Sequence, residues 1–224
     1  MVEAEVSLLK VGLTGGIAAG KSVVGEMFVA LGAHLVQADR LAHQVMDPGE
    51  PVYNQVVRHF GREILNPDGS INRPKLAELA FGAPDLPQDQ RGSRVAELNR
   101  IVHPAVIRSQ EEWMQAIGDQ DRNAVAMVEA ALILEAGMGK RFDRLIVVTC
   151  TPEQRAARFA ARQKMDLESA NKEVQRRMAA QLSDEEKVKA ADYVIDNSGS
   201  LAATRGQVAE IWKKLQSEAS STNS

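Results

Sequence analysis

Residues 8 to 32 read LLKVGLTGGIAAGKSVVGEMFVALG, and this stretch decides the fold. Leu8 to Leu13 form a short apolar run ending in Thr14-Gly15-Gly16, and Lys21 to Leu31 reads as a helix closed by Gly32. The order is strand, glycine loop, helix. Within it, Gly15-Gly16-Ile17-Ala18-Ala19-Gly20-Lys21-Ser22 has two glycines five apart followed by Lys and a hydroxyl residue, the spacing of a phosphate-binding loop. Glycines let the backbone curl until consecutive N–H groups point inward at phosphate oxygens, and the helix starting at Lys21 adds its positive dipole end. Lys21 is then placed to reach the β- and γ-phosphates of a nucleotide, Ser22 to ligate Mg²⁺, and Val23 to continue the loop into the helix. The competing reading is a chance glycine-rich turn. The strand before it and the helix after it argue against that.

Working outward, the pattern recurs. Leu35-Val36 precede Asp39, Ala124 to Val128 precede Glu129, Leu145 to Val148 precede a helix near Thr151, and Tyr193-Val194-Ile195 makes a last short strand. Strands alternating with helices predict an α/β fold with a parallel sheet covered on both faces and ligands at the carboxyl ends of its strands. Thr14, Asp39 and Glu129 fall at such ends. Two stretches break the alternation and read as insertions. The first, Asp47 to Gly118, is mostly helical, with turns at Pro48-Gly49 and Asn66-Pro67-Asp68-Gly69 and a loose polar segment from Ala83 to Ser93. The second runs from Thr151 to Leu182 and opens with an N-cap, a proline at the first helical position and a capping-box glutamine, Gln154. Ser183-Asp184-Glu185-Glu186 repeats the capping box and starts a new helix, and the polar end beyond Ser217 reads as frayed.

Composition excludes several classes. Lys and Arg number 27 against 30 for Asp and Glu, so no global positive field gathers nucleic acid or an anionic membrane, and an anion site must be built locally. Cys150 is the single cysteine, which rules out an intrachain disulfide and a cysteine metal cluster, and its strand-end setting reads as structural. No run approaches the roughly 18 apolar residues of a membrane helix, and the acidic N-terminus resembles no secretory leader, so the expectation is a cytoplasmic protein.

Outside the loop, Asp39 is the leading general-base candidate, since it follows the second strand where an acceptor hydroxyl would face the γ-phosphate. The residues alone leave it equally placed as the N-cap of a helix from Leu41 to Met46. Arg155, Arg158 and Arg162 lie at i, i+3 and i+7 and share one helix face. They read either as a solvated basic face or as a lid closing over transferring phosphates, with Arg158 or Arg162 the ones to touch the γ-phosphate. Glu129 could hold a metal-bound water or pair a local arginine, and His103-Pro104 reads as a turn into a helix from Ala105 to Ala116.

Read together, the chain resembles the dephospho-coenzyme A kinases from Val11 to Val208. The resemblance rests on Gly12 to Ile17 through Lys21-Ser22, Ala38-Asp39 with Ala42 and Pro48-Gly49, Phe60-Gly61, Asp68-Gly69, Arg73 and Leu76. Further on it rests on Val102-His103-Pro104, Leu132 to Glu135, Arg158, Arg162, Gln181, Ala191-Asp192 and Asn197. It implies a P-loop kinase core with a parallel five-stranded sheet over residues 1–46, 119–150 and 183–217. It also implies a helical acceptor-binding insertion over 47–118 and a lid over 151–182, while the polar composition of the end predicts a disordered tail over 218–224. By the same resemblance the loop, Lys21 and Arg162 hold ATP, and Ser22 meets Mg²⁺. Asp39 takes the proton of the acceptor ribose 3′-hydroxyl, Arg158 closes from the lid, and Thr14, His103 and Leu132 line the acceptor side. Its partners are the small molecules ATP and dephospho-coenzyme A, with no nucleic acid, membrane or obligate protein implied. A nucleoside or nucleotide kinase of the same fold and a regulatory ATPase are the rival functions, the first disfavoured by the long insertion. The chain departs from the family at Gln37, where Asp is usual, at Ala131 and Ile133, where Pro and Leu are usual, and at Val23, where Thr is common.

Overall fold

The first strand, β1 (Leu9–Gly15), is buried at every position but Lys10, as an apolar run demands of a strand covered on both faces. The computed structural model describes residues 8–81 and 93–221. After β1 come α1 (Lys21–Ala30), β2 (His34–Gln37), α2 (Ala38–Gln44), α3 (Pro51–Phe60), α4 (Arg73–Phe81) and α5 (Ser93–Gly118). There follow β3 (Val125–Glu129), β4 (Arg144–Thr149), α6 (Pro152–Gln163), α7 (Leu167–Met178), α8 (Asp184–Lys189), β5 (Tyr193–Asp196) and α9 (Leu201–Ser221). The strands form one five-stranded sheet in the order β2-β3-β1-β4-β5, and all four pairings are parallel. The adjacent strands β1 and β4 send their chains to opposite sides, toward β2 and toward β5. Such a divergence opens a crevice outside the carboxyl ends of the two strands, where α/β sheets bind ligands. The glycine loop follows β1 into that crevice and the start of α6 follows β4.

Strand periodicity builds the main core. Leu9, Val11 and Leu13 of β1, Val125 and Met127 of β3, and Ile146 and Val148 of β4 pack with Val24 and Phe28 of α1 and with Val208, Ile211, Trp212 and Leu215 of α9. Each such large side chain, taken out of water, contributes roughly 1.5–3 kcal/mol. On the opposite face a side chain at Gly12 would meet Leu145 and Phe142 at 2.9 Å, so β1 is kept small there. Helix ends follow their sequence signals. Gly32 closes α1 at a φ of 112°, with Ala33 N–H donating back to the Phe28 carbonyl, and capping boxes at Thr151 and Ser183 open α6 and α8.

The chain divides into two compact units, one of Met1–Gln37 and Met114–Ser224, the other of Ala38–Trp113. In the second, Val52, Val56 and Phe60 of α3 are buried with Ile64, Ile71 and Leu76. Its Asn66 to Gly69 turn closes through Gly69 N–H to the Asn66 carbonyl and is fastened by the Tyr53 hydroxyl on the Gly69 carbonyl at 2.6 Å. Three expectations are corrected. His103-Pro104 makes no turn: α5 runs through it, and Val102, Val106 and Gln110, one turn apart, bury on one face. That continuous packed stripe outweighs the hydrogen bond and clash that an interior proline costs. Asp39 is not an N-cap, since α2 already begins at Ala38. Residues 218–221, expected to be disordered, are helical within α9, where Ala219 is buried and Tyr193 donates to Glu218 at 2.8 Å. The loose segment expected from Ala83, up to residue 92, and the last three residues of the tail lie outside the described residues.

Candidate active site

The glycine loop takes its shape from three unusual backbone positions: Gly15 at φ 149°, Ala18 at 53° and Gly20 at 97°. Gly15 is pressed on β4, where a side chain would run into the Val148 carbonyl. Gly20 is the N-cap of α1 and offers no side chain to its first turn, so the N–H groups there keep the polarity an anion seeks. Lys21 folds back over the loop, its Nζ donating to the carbonyls of Gly15 at 3.0 Å and Gly16 at 3.2 Å. Val23 is exposed on α1 and Ile17 is buried against Phe159, Ala170 and Val174 of α6 and α7.

Beside the loop, register brings three polar residues together. Glu129 ends β3, directly paired with Leu13 of β1 and Gln37 of β2. Its carboxylate is buried, accepting from the Ser22 hydroxyl at 2.8 Å on Oε1 and from the Gln37 amide at 3.1 Å on Oε2. Among the described residues the hydrogen bonds to it come from two neutral donors, Ser22 and Gln37, rather than from an arginine. Thr14 is fully buried and donates to the Ala131 carbonyl at 3.3 Å. Thr14 thus ties β1 to the segment after β3, which carries the exposed Leu132 and the buried Ile133.

The outer edge of the loop is clasped by side chains that arrive from far along the chain. Arg158 donates to the Ala19 carbonyl at 3.2 Å and to the Asn197 carbonyl at 2.8 Å. Asn197 donates its own amide to the same Ala19 carbonyl at 2.9 Å and accepts from Thr204 at 3.0 Å. Arg155 donates to the Ile17 carbonyl at 3.1 Å and pairs with Asp184. The Cys150 thiol lies 3.9 Å from the Ala18 carbonyl, and burial raises its pKa, so it stays protonated. The arginine face is therefore graded: Arg155 is buried, Arg158 half-buried and Arg162 exposed, with the Arg162 and Arg177 guanidinium groups 5.5 and 5.4 Å from the Phe159 ring centre. A solvated basic face does not describe it. Sequence reading missed the loop contacts of Arg155, Asn197 and Cys150, which join residues far apart in the chain.

In the second unit, Asp39 is exposed in the first turn of α2, where a carboxylate favours the helix dipole. His43, one turn on, has a lowered pKa because it is partly buried and faces Arg73, with Asp39 and Asp47 opposing. His103 is exposed on α5.

A family model described as dephospho-CoA kinase matches residues 9–203. The chain belongs to the dephospho-CoA kinase family. Among curated dephospho-CoA kinases, that of Streptomyces avermitilis is 40% identical over 209 residues, covering 93% of this chain and 94% of the relative. That of Leifsonia xyli is 36% identical over 206 residues, covering 92% and 98%. A solved Thermus thermophilus structure superposes with a TM-score of 0.74 at 28% identity, over 93% of this chain and 98% of the other. A shikimate kinase from Bacteroides thetaiotaomicron, 10% identical, shares the fold at a TM-score of 0.52 over 93% and 98%. Family membership makes the chain a kinase with ATP as co-substrate, and among the described residues no helix is long and apolar enough to cross a membrane.

Proposed function

We propose that the chain transfers the γ-phosphoryl group of ATP to the ribose 3′-hydroxyl of dephospho-CoA, giving CoA and ADP. The observation that carries this reading is the family match across residues 9–203, which spans the loop, Asp39 and the helical segment that follows. The glycine loop holds the β- and γ-phosphates through its N–H groups, and Lys21 exchanges its two loop carbonyls for phosphate oxygens as ATP enters. Asp39 takes the proton of the 3′-hydroxyl while that oxygen bonds to the γ-phosphorus. The bond from γ-phosphorus to the bridging oxygen breaks, and the electron pair leaves on ADP.

The Ser22 hydroxyl and the Glu129 carboxylate are hard oxygen donors 2.8 Å apart, and no group of three or more His, Cys, Asp or Glu among the described residues could cage a metal. That donor set suits Mg²⁺, which keeps waters and phosphate oxygens in its shell. Bound there, it would neutralise phosphate charge. Gln37 supplies a donor that orients Glu129. Arg158 gives up one of its carbonyl partners to meet the transferring group, Arg162 supports the nucleotide from the lid, and His103 and Leu132 line the acceptor side. Thr14 acts through Ala131 rather than by touching substrate.

Asp39→Asn tests the assignment. It keeps the size of the side chain and the start of α2, so nucleotide binding and thermal stability stay near wild type, while turnover falls by roughly 10²- to 10⁴-fold, the usual share of a general base. Full activity of this variant would remove Asp39 from the chemistry.

A further inference from the structure

Among the described residues, Arg155 is the bulkiest of the completely buried side chains. Withdrawing a guanidinium from water is costly, and a single carboxylate partner commonly does no better for stability than apolar residues of the same volume. Asp184, that partner, has a side chain one third exposed, and Arg155 Nε has no hydrogen-bond acceptor among the described residues. Stability is a poor reason for this residue.

Its contacts suggest another. Arg155 Nη1 donates to the Ile17 carbonyl, and the same atom fills the space above Gly16 that any side chain there would need. In a trans peptide the carbonyl and the following N–H point in opposite directions. Holding the Ile17 carbonyl toward α6 therefore turns the Ala18 N–H away from α6, in a loop where Ala18 itself sits at φ 53° without being glycine. The Ala19 carbonyl is held in the same way by Arg158 and Asn197, which turns the Gly20 N–H.

We infer that Arg155, held by Asp184, is a positioning residue of the nucleotide site: it sets the Ile17–Ala18 peptide so that the loop presents its N–H to a phosphate. The inference rests on the reading of residues 15–22 as the ATP loop, and it concerns ATP alone rather than the acceptor.

The test is calorimetric titration of Mg·ATP without acceptor, with melting temperature and the KM of each substrate, on Arg155→Met, Arg155→Met with Asp184→Leu, and Arg155→Lys. Loss of one charge-assisted contact that orders the loop should weaken Mg·ATP binding by roughly ten- to a hundredfold in Arg155→Met, with the KM for dephospho-CoA unchanged. The double variant removes the carboxylate left without a partner, so its melting temperature returns to or exceeds the wild-type value while its nucleotide affinity stays low. Arg155→Lys keeps the charge and the fold, but its ammonium lacks the fork that spans Ile17 and Asp184, so its affinity also falls. Wild-type Mg·ATP affinity in any folded member of the set overturns the inference, as does a KM that rises equally for both substrates. A wild-type protein that binds Mg·ATP and leaves dephospho-CoA unchanged would instead remove the acceptor assignment and leave Arg155 in its role.

Discussion

Replacing Gly20 by Ala puts a methyl group where two constraints meet. The residue sits at a φ of 97°, in the left-handed region that costs a non-glycine residue roughly 1–2 kcal/mol. The new Cβ also overlaps Nδ2 of Asn197, a buried amide that cannot swing aside freely, because it donates to the Ala19 carbonyl and accepts from Thr204. Displacing it puts two hydrogen bonds at risk, together worth roughly 1–3 kcal/mol. Gly20→Ala should therefore destabilise the protein by about 2–5 kcal/mol. Gly137 provides the control: it lies in the same unit at a φ of 67° with no atom within 4 Å of an added Cβ, so Gly137→Ala incurs the backbone strain alone. Urea unfolding of both variants, with m held constant, reads the difference as a shift in midpoint. Equal shifts would refute the claim that Asn197 braces the loop.

Glu173 is held down to about 2 by hydrogen bonds from Arg176 and then Arg177, aided by their charges and against the cost of burial. Its folded pKa lies below the ordinary 4.5, so the stabilisation is present above that pH and is lost as pH falls toward 2. Both arginines are largely exposed, so Glu173→Gln should cost less than about 1 kcal/mol at pH 7, and the gap to wild type should shrink between pH 5 and 3 in urea titrations. A gap that widens on acidification would contradict the sign. Cys150, buried and protonated, should react with a maleimide at pH 7 only as fast as the protein unfolds. Rapid labelling of the native protein would contradict the packing under Ala18.

Local chemistry was legible in the sequence and long-range chemistry was not. The loop, the capping boxes at Thr151 and Ser183, the glycine after α1 and the strand pattern all depend on residues within a few positions of one another, and each appears where the spacing placed it. The clasp was hidden because it joins residues 17 to 19 with 155, 158 and 197. A periodicity argument puts Arg155, Arg158 and Arg162 on one face, but nothing in that spacing tells which end of the face is sealed under the loop. Pro104 misled for the opposite reason: a strong local breaker was overruled by the buried stripe through Val102, Val106 and Gln110. At Asp39 the helix start differed from expectation by a few residues, enough to replace capping with a place in the first turn.

Everything turns on what the bound phosphate is handed to. Wild-type protein with Mg·ATP should be given dephospho-CoA, AMP, adenosine or no acceptor, with ADP release followed and each product weighed by mass spectrometry. The account predicts ADP release that depends on dephospho-CoA and a product heavier by one phosphoryl group on the ribose 3′-oxygen. Equal ADP release without acceptor, or phosphorylation of AMP or adenosine in preference to dephospho-CoA, would contradict it.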